Sequence, residues 1–288
     1  MKRASYYHVF NKGENVIFRD NDDFITFNNK IAIASHHADI GILAFAIMST
    51  HFHAIIEAID ETAVDEFLES LSKVYSICYG RKYGAAGKKL FKTSTVAVEP
   101  TSLETEMLYV MKNPVHNYVD YTPLSYEFSS AAHLFMNELL PASRLNRIES
   151  GYRKVKDLGG RQYRSIIGRE AVPEGWMVDG EGMILPGCFM NVSKAKAVWS
   201  GNVKAFLYAI LKTQTDANKE VIKDDILELR TNGFSDMYVC QLVDAIIADK
   251  GLRSIHELSE PQHEEIWRIL EKRGIQPDQA RRVLWLNG

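Results

Sequence analysis

Residues 41–57 have the sequence GILAFAIMSTHFHAIIE, and the fold depends on this stretch. Its first eight residues are apolar and of strand length, and a second run of strand-forming residues follows the short connection MST, which predicts an antiparallel pair of strands. Successive side chains of a strand point to opposite faces, so His51, His53 and Glu57 share one face. Burying an imidazole without a hydrogen-bond partner costs about 1–3 kcal/mol. Two imidazoles on one face of a buried strand therefore indicate a specific role.

The segments around this pair predict a β-α-β-β-α-β order. Aromatic and β-branched residues favour a strand near the N-terminus, and the apolar residues of the next segment recur at helical spacing after Asp20 or Asn21, either of which fits a helix N-cap. The predicted strands are 6–10, 41–48, 51–59 and 93–100, and the predicted helices are 20–40 and 62–83. This order is that of the split βαβ, or ferredoxin-like, arrangement of the α+β class. Many unrelated functions share that arrangement.

A third helix, predicted to begin near Ser102, ends in the sequence YVMKNPV. Because the residue before a proline disfavours the helical conformation, the helix is predicted to end at or near Asn113. Tyr109 and Asn113 are four residues apart and share a helix face. The amide oxygen of Asn113 is a candidate metal ligand, and the phenol of Tyr109 is a candidate nucleophile. A tyrosine between apolar neighbours is also a common core residue.

The pattern of predicted elements changes after the segment SYEFSS, at residues 125–130. We predict a domain boundary near residue 130, with a catalytic-type domain at 1–130 and a mainly helical region at 131–288. Gly and Pro signals divide the end of the second region into predicted helices at 193–213, 216–231, 235–250, 260–273 and 277–286. The spacing within 264–286 also fits a DNA-binding helix-turn-helix, with Gln276, Gln279, Arg281 and Arg282 near the start of its second helix.

Composition excludes several classes of protein. The 288 residues are 46% hydrophobic and 25% charged with a formal net charge of −3, which is ordinary globular composition and gives no sign of a polyanion partner in the average. Three scattered cysteines predict no disulfide framework, so a reducing cytoplasm is the expected location. The N-terminus lacks the apolar core of a signal peptide, and no apolar run has the length of a membrane span.

Two interpretations of the histidine pair stay open on spacing alone. Side by side on a strand, His51 and His53 have the separation needed to bind one metal ion. Two hydrogen-bonded surface histidines are the ordinary alternative. Glu57, on the same face, fits either a carboxylate that orients a histidine or a surface residue at the strand end. His8 lies either near this site or in a structural position.

The motifs together resemble the single-tyrosine transposases of the HUH (His-hydrophobic-His) superfamily, and within it the REP-associated tyrosine transposases and their insertion-sequence relatives. The family's strand motif M-P-N-H-x-H-x-x-x-E is matched at Met48, His51, His53 and Glu57, but Ser49-Thr50 replaces Pro-Asn. Its helix motif Y-I-x-x-N-P-V is matched by residues 109–115. The opening YHVFNKG is similar to Y-H-x-x-N-R-G, with Lys12 in the arginine place. The resemblance covers about residues 6–130.

The resemblance implies a mechanism. His51, His53 and Asn113 would bind Mg²⁺ or Mn²⁺, although a mixed nitrogen and oxygen site does not exclude Zn²⁺. Tyr109 would attack a phosphate of single-stranded or hairpin DNA, displace a 3′-hydroxyl and form a 5′-phosphotyrosine link. Some members of the family exchange the tyrosine helix between subunits and others act as monomers, so both a homodimer and a monomer stay open.

Local basic clusters contrast with the acidic average and are candidates for DNA contact. The segment 81–92 holds five basic residues and no acidic one, and a second cluster at 144–169 holds eight basic residues, two acidic ones and interleaved tyrosines that can stack on bases. Solvated helix faces are the ordinary alternative for both clusters. The predicted DNA-contacting residues are Lys12, Arg81, Lys82, Lys88, Lys89 and Lys92.

Three functions compete at this stage. The leading hypothesis is a metal-dependent DNA strand transferase that acts through Tyr109. The departure at Ser49-Thr50 keeps open a catalytically inactive, domesticated relative that binds DNA and regulates. A metal hydrolase unrelated to DNA is the third hypothesis.

Overall fold

The computed structural model describes residues 4–88, 90–117, 122–212 and 233–286. Within them the first half of the chain forms a four-stranded antiparallel sheet with helices, an α+β architecture. The elements of this half are β1 (Ser5–Asn11), α1 (Asn21–His37), β2 (Gly41–Ile47), β3 (Phe52–Ala58), α2 (Glu61–Tyr83), β4 (Thr93–Val98), a 3₁₀ turn (Pro100–Ser102) and α3 (Leu103–Asn117). All four predicted strands are confirmed.

The strands lie in the order β2-β3-β1-β4, so β1 and β3 are the central pair. Their register places Phe10 opposite His53 and His8 opposite Ile55. Residues directly opposite each other point to the same side of a sheet, so His8 and Phe10 share the face of His53. The histidine face is therefore built from two strands that are far apart in sequence.

Helices α1 and α2 cover the other face of the sheet. Phe27 of α1 packs against Phe52 of β3 with ring centroids 5.0 Å apart, and it contacts Tyr75 of α2 at the same distance. Both helices begin at an aspartate N-cap, as expected for α1: Asp20 accepts from the backbone N–H of Asp23 at 3.0 Å, and Asp60 caps α2. This layer leaves the histidine face to α3.

Helix α3 continues through Pro114 to Asn117, so the prediction that it ends at or near Asn113 was wrong. A proline inside a helix removes one backbone hydrogen bond and disfavours the preceding residue's helical conformation. Packing outweighs that cost here, because α3 lies along β2 and β3 and buries Met107, Val110 and Met111 completely. The local rule failed because it does not include tertiary contacts.

Within the described residues, the second half of the chain is mainly helical, as predicted. Its described elements are α4 (Ala131–Leu134), α5 (Met136–Leu139), α6 (Ala142–Glu149), β5 (Arg153–Lys154), α7 (Gly160–Ile166), β6 (Met177–Val178), α8 (Val192–Ala197), α9 (Val203–Leu211), α10 (Asp236–Asp249), α11 (Glu260–Lys272) and α12 (Pro277–Leu284). The predicted helix 193–213 is divided into α8 and α9, because Ser200 and Gly201 adopt left-handed backbone angles. The predicted helix 216–231 lies outside the described residues.

Two hydrophobic clusters hold the described residues together. The larger one joins the sheet and α1–α3 with the segments up to α9, so it includes residues on both sides of position 130. The smaller one is formed by α10, α11 and α12, with Val16 from the first half of the chain. The division at residue 130 stays a prediction. Among the described helices, none combines the length and apolar character needed to cross a membrane.

The last three helices are fastened to the sheet by specific polar contacts. The guanidinium of Arg19, 1% exposed, donates to the carbonyl of Val283 at 3.0 Å and pairs with Asp244 at 2.6 Å. Ser49 Oγ lies 2.6 Å from a carboxylate oxygen of Asp236 at the start of α10. The connection that carries the histidines is therefore in contact with the C-terminal helices.

Candidate active site

The end of β1 and the residues that follow it hold the connection between β2 and β3 in place. The side-chain oxygen of Asn11 accepts from the backbone N–H of Phe52 at 2.7 Å, and its amide donates to the carbonyl of Thr50 at 3.4 Å. Gly13 lies so close that a Cβ built on it would be 1.7 Å from the Thr50 oxygen. The backbones of residues 11–13 (NKG) and 49–53 (STHFH) are therefore in close contact, and this contact fixes the position of His51.

His53 is part of a chain of polar contacts that reaches α3. Its Nδ1 lies 2.9 Å from Nε2 of His8, and Nδ1 of His8 lies 3.2 Å from a carboxylate oxygen of Glu106. His8 and His53 are each 8% exposed. Phe10 stacks on the ring of His53 at 5.4 Å and is tilted against that of His8 at 5.2 Å. The two imidazoles are therefore held by packing as well as by hydrogen bonds.

His51 is held on both sides of its ring. Nδ1 lies 2.7 Å from the hydroxyl of Thr50, and the side chain of Asn113 hydrogen bonds the imidazole. The amide nitrogen of Asn113 also donates to the carbonyl of Tyr109 at 3.3 Å. Thr50, one of the two departures from the family motif, thus has a direct role in orienting a histidine.

Tyr109 lies against the histidines with its phenol open to solvent. Its ring centroid is 5.6 Å from that of His53 and 5.7 Å from that of His8, in edge-to-face contact with both, and the residue is 50% exposed. Glu106, Tyr109 and Asn113 are spaced three and four residues apart, so α3 presents all three on one face. A single chain thus brings the predicted nucleophile and all three predicted metal ligands together.

Burial sets the protonation of the histidines. It lowers the pKa of His53 to about 3, with smaller contributions from His51 and His8 in the same direction. Burial also lowers the pKa of His51, and for His8 it outweighs the opposing attraction of Glu106. The rings are neutral at pH 7, so each keeps one nitrogen lone pair, which is the state that metal binding requires.

The donor set fits a divalent ion of intermediate softness. Two imidazole nitrogens and one amide oxygen leave several coordination positions open for water or phosphate. Such a set suits Mn²⁺ better than Mg²⁺, whose preferred ligands are oxygens. In the part of the chain that the structure describes, no three His, Cys, Asp or Glu side chains are grouped so that they could hold a metal ion. An ion here would replace the hydrogen bond between His51 and Asn113.

Sequence reasoning missed one residue of this site and left His8 and Glu57 each with two open interpretations. His8 was left undecided, and Glu106 was not considered. Glu57 pairs with Lys194 instead of a histidine. A signal for His8 existed in the register of β1 against β3, and one for Glu106 in its position three residues before Tyr109. Neither is usable before the packing of α3 on the sheet is known.

The predicted DNA-contacting residues have different environments. Lys12 and Lys92 are exposed and adjacent, with the backbone N–H of Lys12 bonded to the carbonyl of Lys92 at 3.1 Å, at the end of β1 and β4 that also carries His51. Arg81 is exposed on α2, on the other side of the sheet. Lys89 lies outside the described residues.

The two remaining lysines of this group are engaged elsewhere. Lys82 Nζ pairs with Asp20 at 2.6 Å and with Asp23 at 2.9 Å. Lys88 Nζ lies 3.0 Å from Nδ1 of His256 and over the ring of Trp285, so it contacts the C-terminal helices. The charge of Lys82 is compensated by two carboxylates, whereas Lys88 is held against two uncharged rings. Because both side chains are engaged, we give Lys12 and Lys92 the greater weight as predicted DNA contacts.

The basic side chains of the arginine-rich segment 144–169 are exposed, although the segment also buries Val155 and Ile167. Its eight basic side chains all face solvent, and within the described ranges none of them forms an ion pair. They are Arg144, Arg147, Arg153, Lys154, Lys156, Arg161, Arg164 and Arg169. This segment keeps its full charge available to a partner.

Helices α11 and α12 have the predicted helix-turn-helix spacing, but part of the second helix is occupied. Gln279 is buried, with its amide donating to the carbonyl of Phe234 at 2.8 Å and to Asp236 at 2.9 Å. Arg282 lies 3.6 Å from the same carboxylate. Gln276 and Arg281 are exposed. DNA binding by this pair of helices stays a prediction.

Comparison with known proteins finds a likeness only among solved structures. No protein-family model matches the sequence, and no curated protein matches it. Among solved structures that match is a REP-associated tyrosine transposase bound to a REP hairpin. It has 14% sequence identity to this chain and a TM-score of 0.37, and the match covers 49% of this chain and 84% of that one.

Proposed function

We propose that the chain is a single-tyrosine DNA strand transferase of the HUH type, in which a ferredoxin-like palm presents the histidines and α3 presents the nucleophile. The observation that carries this proposal is the position of Tyr109, half-exposed and in edge contact with His53 and His8. A tyrosine in the core would be buried. A half-exposed phenol beside neutral buried imidazoles is arranged for chemistry on an external substrate.

In this mechanism the side chains of His51, His53 and Asn113 would hold a Mn²⁺ or Mg²⁺ ion. When bound, the ion would polarise the scissile phosphate and offset the charge that develops on it. Oη of Tyr109 attacks phosphorus and loses its proton to solvent. The bond from phosphorus to the 3′-oxygen breaks, and that oxygen takes up a proton.

The reaction exchanges one phosphodiester for another. The product is a 5′-phosphotyrosine, and a different 3′-hydroxyl can attack it to rejoin strands without an external energy source. Because Tyr109 and the proposed ligands belong to one chain, the geometry supports attack in cis by a monomer. A homodimer that exchanges α3 would need that helix to leave its packing on β2 and β3.

A direct assay tests this function. The protein is incubated with labelled single-stranded oligonucleotides that contain a hairpin, with Mn²⁺ or with EDTA, and denatured in SDS. A labelled band at the mass of protein plus DNA is expected with Mn²⁺ and not with EDTA. DNA binding without any such band, in either condition, would instead favour the inactive DNA-binding relative. Absence of binding at low salt would favour a hydrolase unrelated to DNA.

Removing two positive charges beside the site is expected to weaken binding to different DNA sequences by about the same factor. In the variant Lys12→Gln with Lys92→Gln, each lost phosphate contact should lower the slope of log K against log salt by about 0.7 for single strands, or about 1.4 in all. The slope is measured by fluorescence anisotropy between about 50 and 300 mM NaCl. Over this range the Debye length changes on the order of twofold.

The matched control for this pair removes two exposed lysines elsewhere. Lys73 lies on α2, across the sheet from the site, and Lys204 lies on α9. Replacing both by glutamine makes the same change in net charge. An equal loss of slope in both double variants would mean that the phosphate track is not at the end of β1 and β4.

A further inference from the structure

We infer that Glu106, acting through His8, fixes which nitrogen of His53 carries a proton and so presents the bare Nε2 of His53 to the proposed metal site. This inference rests on the proposed function for its purpose, but the arrangement itself is open to direct measurement. It concerns two residues whose part in the site comes from three-dimensional contacts: one on β1 and one on α3.

The proton order follows from the donors and acceptors in the chain of contacts. A carboxylate only accepts hydrogen bonds, so the His8 nitrogen 3.2 Å from Glu106, Nδ1, must carry the proton. A neutral imidazole has one N–H, so Nε2 of His8 is a bare acceptor. The nitrogen that faces it at 2.9 Å is Nδ1 of His53, which must then be the donor. Nε2 is then the nitrogen of His53 that keeps its lone pair.

Packing and hydrogen bonding disfavour the ring flips that would change this arrangement of protons. A ring flip of His53 would exchange Nδ1 for a carbon and leave a buried N–H without its acceptor, at a cost of about 1–3 kcal/mol. Phe10 covers the ring from one side, and the ring of His51 meets it edge-on at 5.2 Å. His8 is wedged between Phe10 and Tyr109. The contacts of both imidazoles therefore favour one orientation each.

The same contacts join three elements that the sequence separates. Glu106 is one turn before Tyr109 on α3, His8 is on β1, and His53 is on β3. The side chain that sets the tautomer of His53 thus also ties down the helix that carries the nucleophile. Glu106 and His8 are positioning residues in this scheme, because neither reaches the reacting atoms.

The primary test reads the tautomer directly in the metal-free protein. Nitrogen-15 NMR of the imidazoles distinguishes an Nδ1–H from an Nε2–H histidine. Wild-type His53 is expected to be the Nδ1–H tautomer. In Glu106→Ala, which suits a helix and leaves His8 without its acceptor, a substantial Nε2–H population should appear. An Nε2–H His53 in the wild type, or an unchanged Nδ1–H His53 in the alanine variant, would overturn the inference.

Metal affinity supplies the second readout. Mn²⁺ titration followed by electron paramagnetic resonance should show about 10-fold to 100-fold weaker binding for Glu106→Ala, the usual effect of removing such an orienting partner. Glu106→Gln should restore most of the affinity, because an amide oxygen still accepts from His8. Glu104→Ala removes an exposed carboxylate from the same helix and should have no effect.

A double-variant cycle separates this role from a merely structural one. If Glu106 acts through His8, its replacement should have no further effect on the His53 tautomer in a His8→Phe background. An additive effect in that background would contradict the scheme. Both readouts are independent of DNA, so the tautomer result stands even if no covalent adduct forms. If the wild-type protein forms the adduct but the His53 tautomer is unchanged in Glu106→Ala, this inference is refuted and the proposed function is not.

Discussion

Tyr109→Phe is expected to abolish the covalent protein–DNA adduct, with a loss of at least ~10³-fold in the rate of adduct formation, as is usual when the nucleophile of a catalytic unit is removed. The change deletes one oxygen and leaves the ring contacts with His53 and His8 in place. Binding of DNA and of Mn²⁺ should therefore stay near wild type. Denaturing gels of labelled oligonucleotide measure the adduct, and anisotropy measures binding.

The control for this substitution is another exposed tyrosine. Tyr208 on α9 is 70% exposed, and its change to phenylalanine should leave adduct formation unaltered. An adduct that persists in Tyr109→Phe and disappears in Tyr208→Phe would move the nucleophile out of the site described above. Loss of DNA binding together with the adduct in Tyr109→Phe would mean that the phenol binds DNA and would leave its catalytic role unsupported.

The sheet was predictable because its pattern is local. Alternation, N-caps and turn residues are written in consecutive positions, and they predicted β1–β4, α1 and α2 within a few residues of the structure. The failures were at places where distant contacts decide. Pro114 lies inside α3 because the helix packs on β2 and β3, and Ser200 divides a helix because it adopts a positive φ that no sequence rule assigns to serine.

The site was predictable only in part for the same reason. His51, His53, Tyr109 and Asn113 were selected by spacing within single elements, and the structure brings them together. His8 and Glu106 act across elements, and their contacts depend on a strand register and a helix position that a single sequence does not state.

Ser49 and Thr50, the two departures from the motif of the family that the sequence resembles, both form side-chain hydrogen bonds. Thr50 supplies a hydroxyl to His51, and Ser49 supplies one to Asp236 of the C-terminal helices. Neither hydroxyl would exist with proline and asparagine in these places. The departures are therefore compatible with an intact histidine pair, and they join it to a part of the chain that the family resemblance does not cover.

Gly13→Ala is expected to be among the most damaging substitutions outside the catalytic side chains. The added Cβ would lie 1.7 Å from the carbonyl oxygen of Thr50 and 2.6 Å from its carbon, so a backbone segment must move. Overpacking against side chains costs about 1–3 kcal/mol, and a clash with backbone exceeds the usual range. We expect the free energy of unfolding to fall by ~3 kcal/mol or more.

The same shift should displace His51, because Thr50 both meets Gly13 and hydrogen bonds the imidazole. Mn²⁺ affinity should therefore fall in any Gly13→Ala protein that still folds. Chemical denaturation measures the stability, and Mn²⁺ titration measures the site. Gly187→Ala is the control: a Cβ there meets nothing within 4 Å, and its effect on both should be small. Equal stability of the two variants would show that the NKG turn does not hold the histidine segment in place.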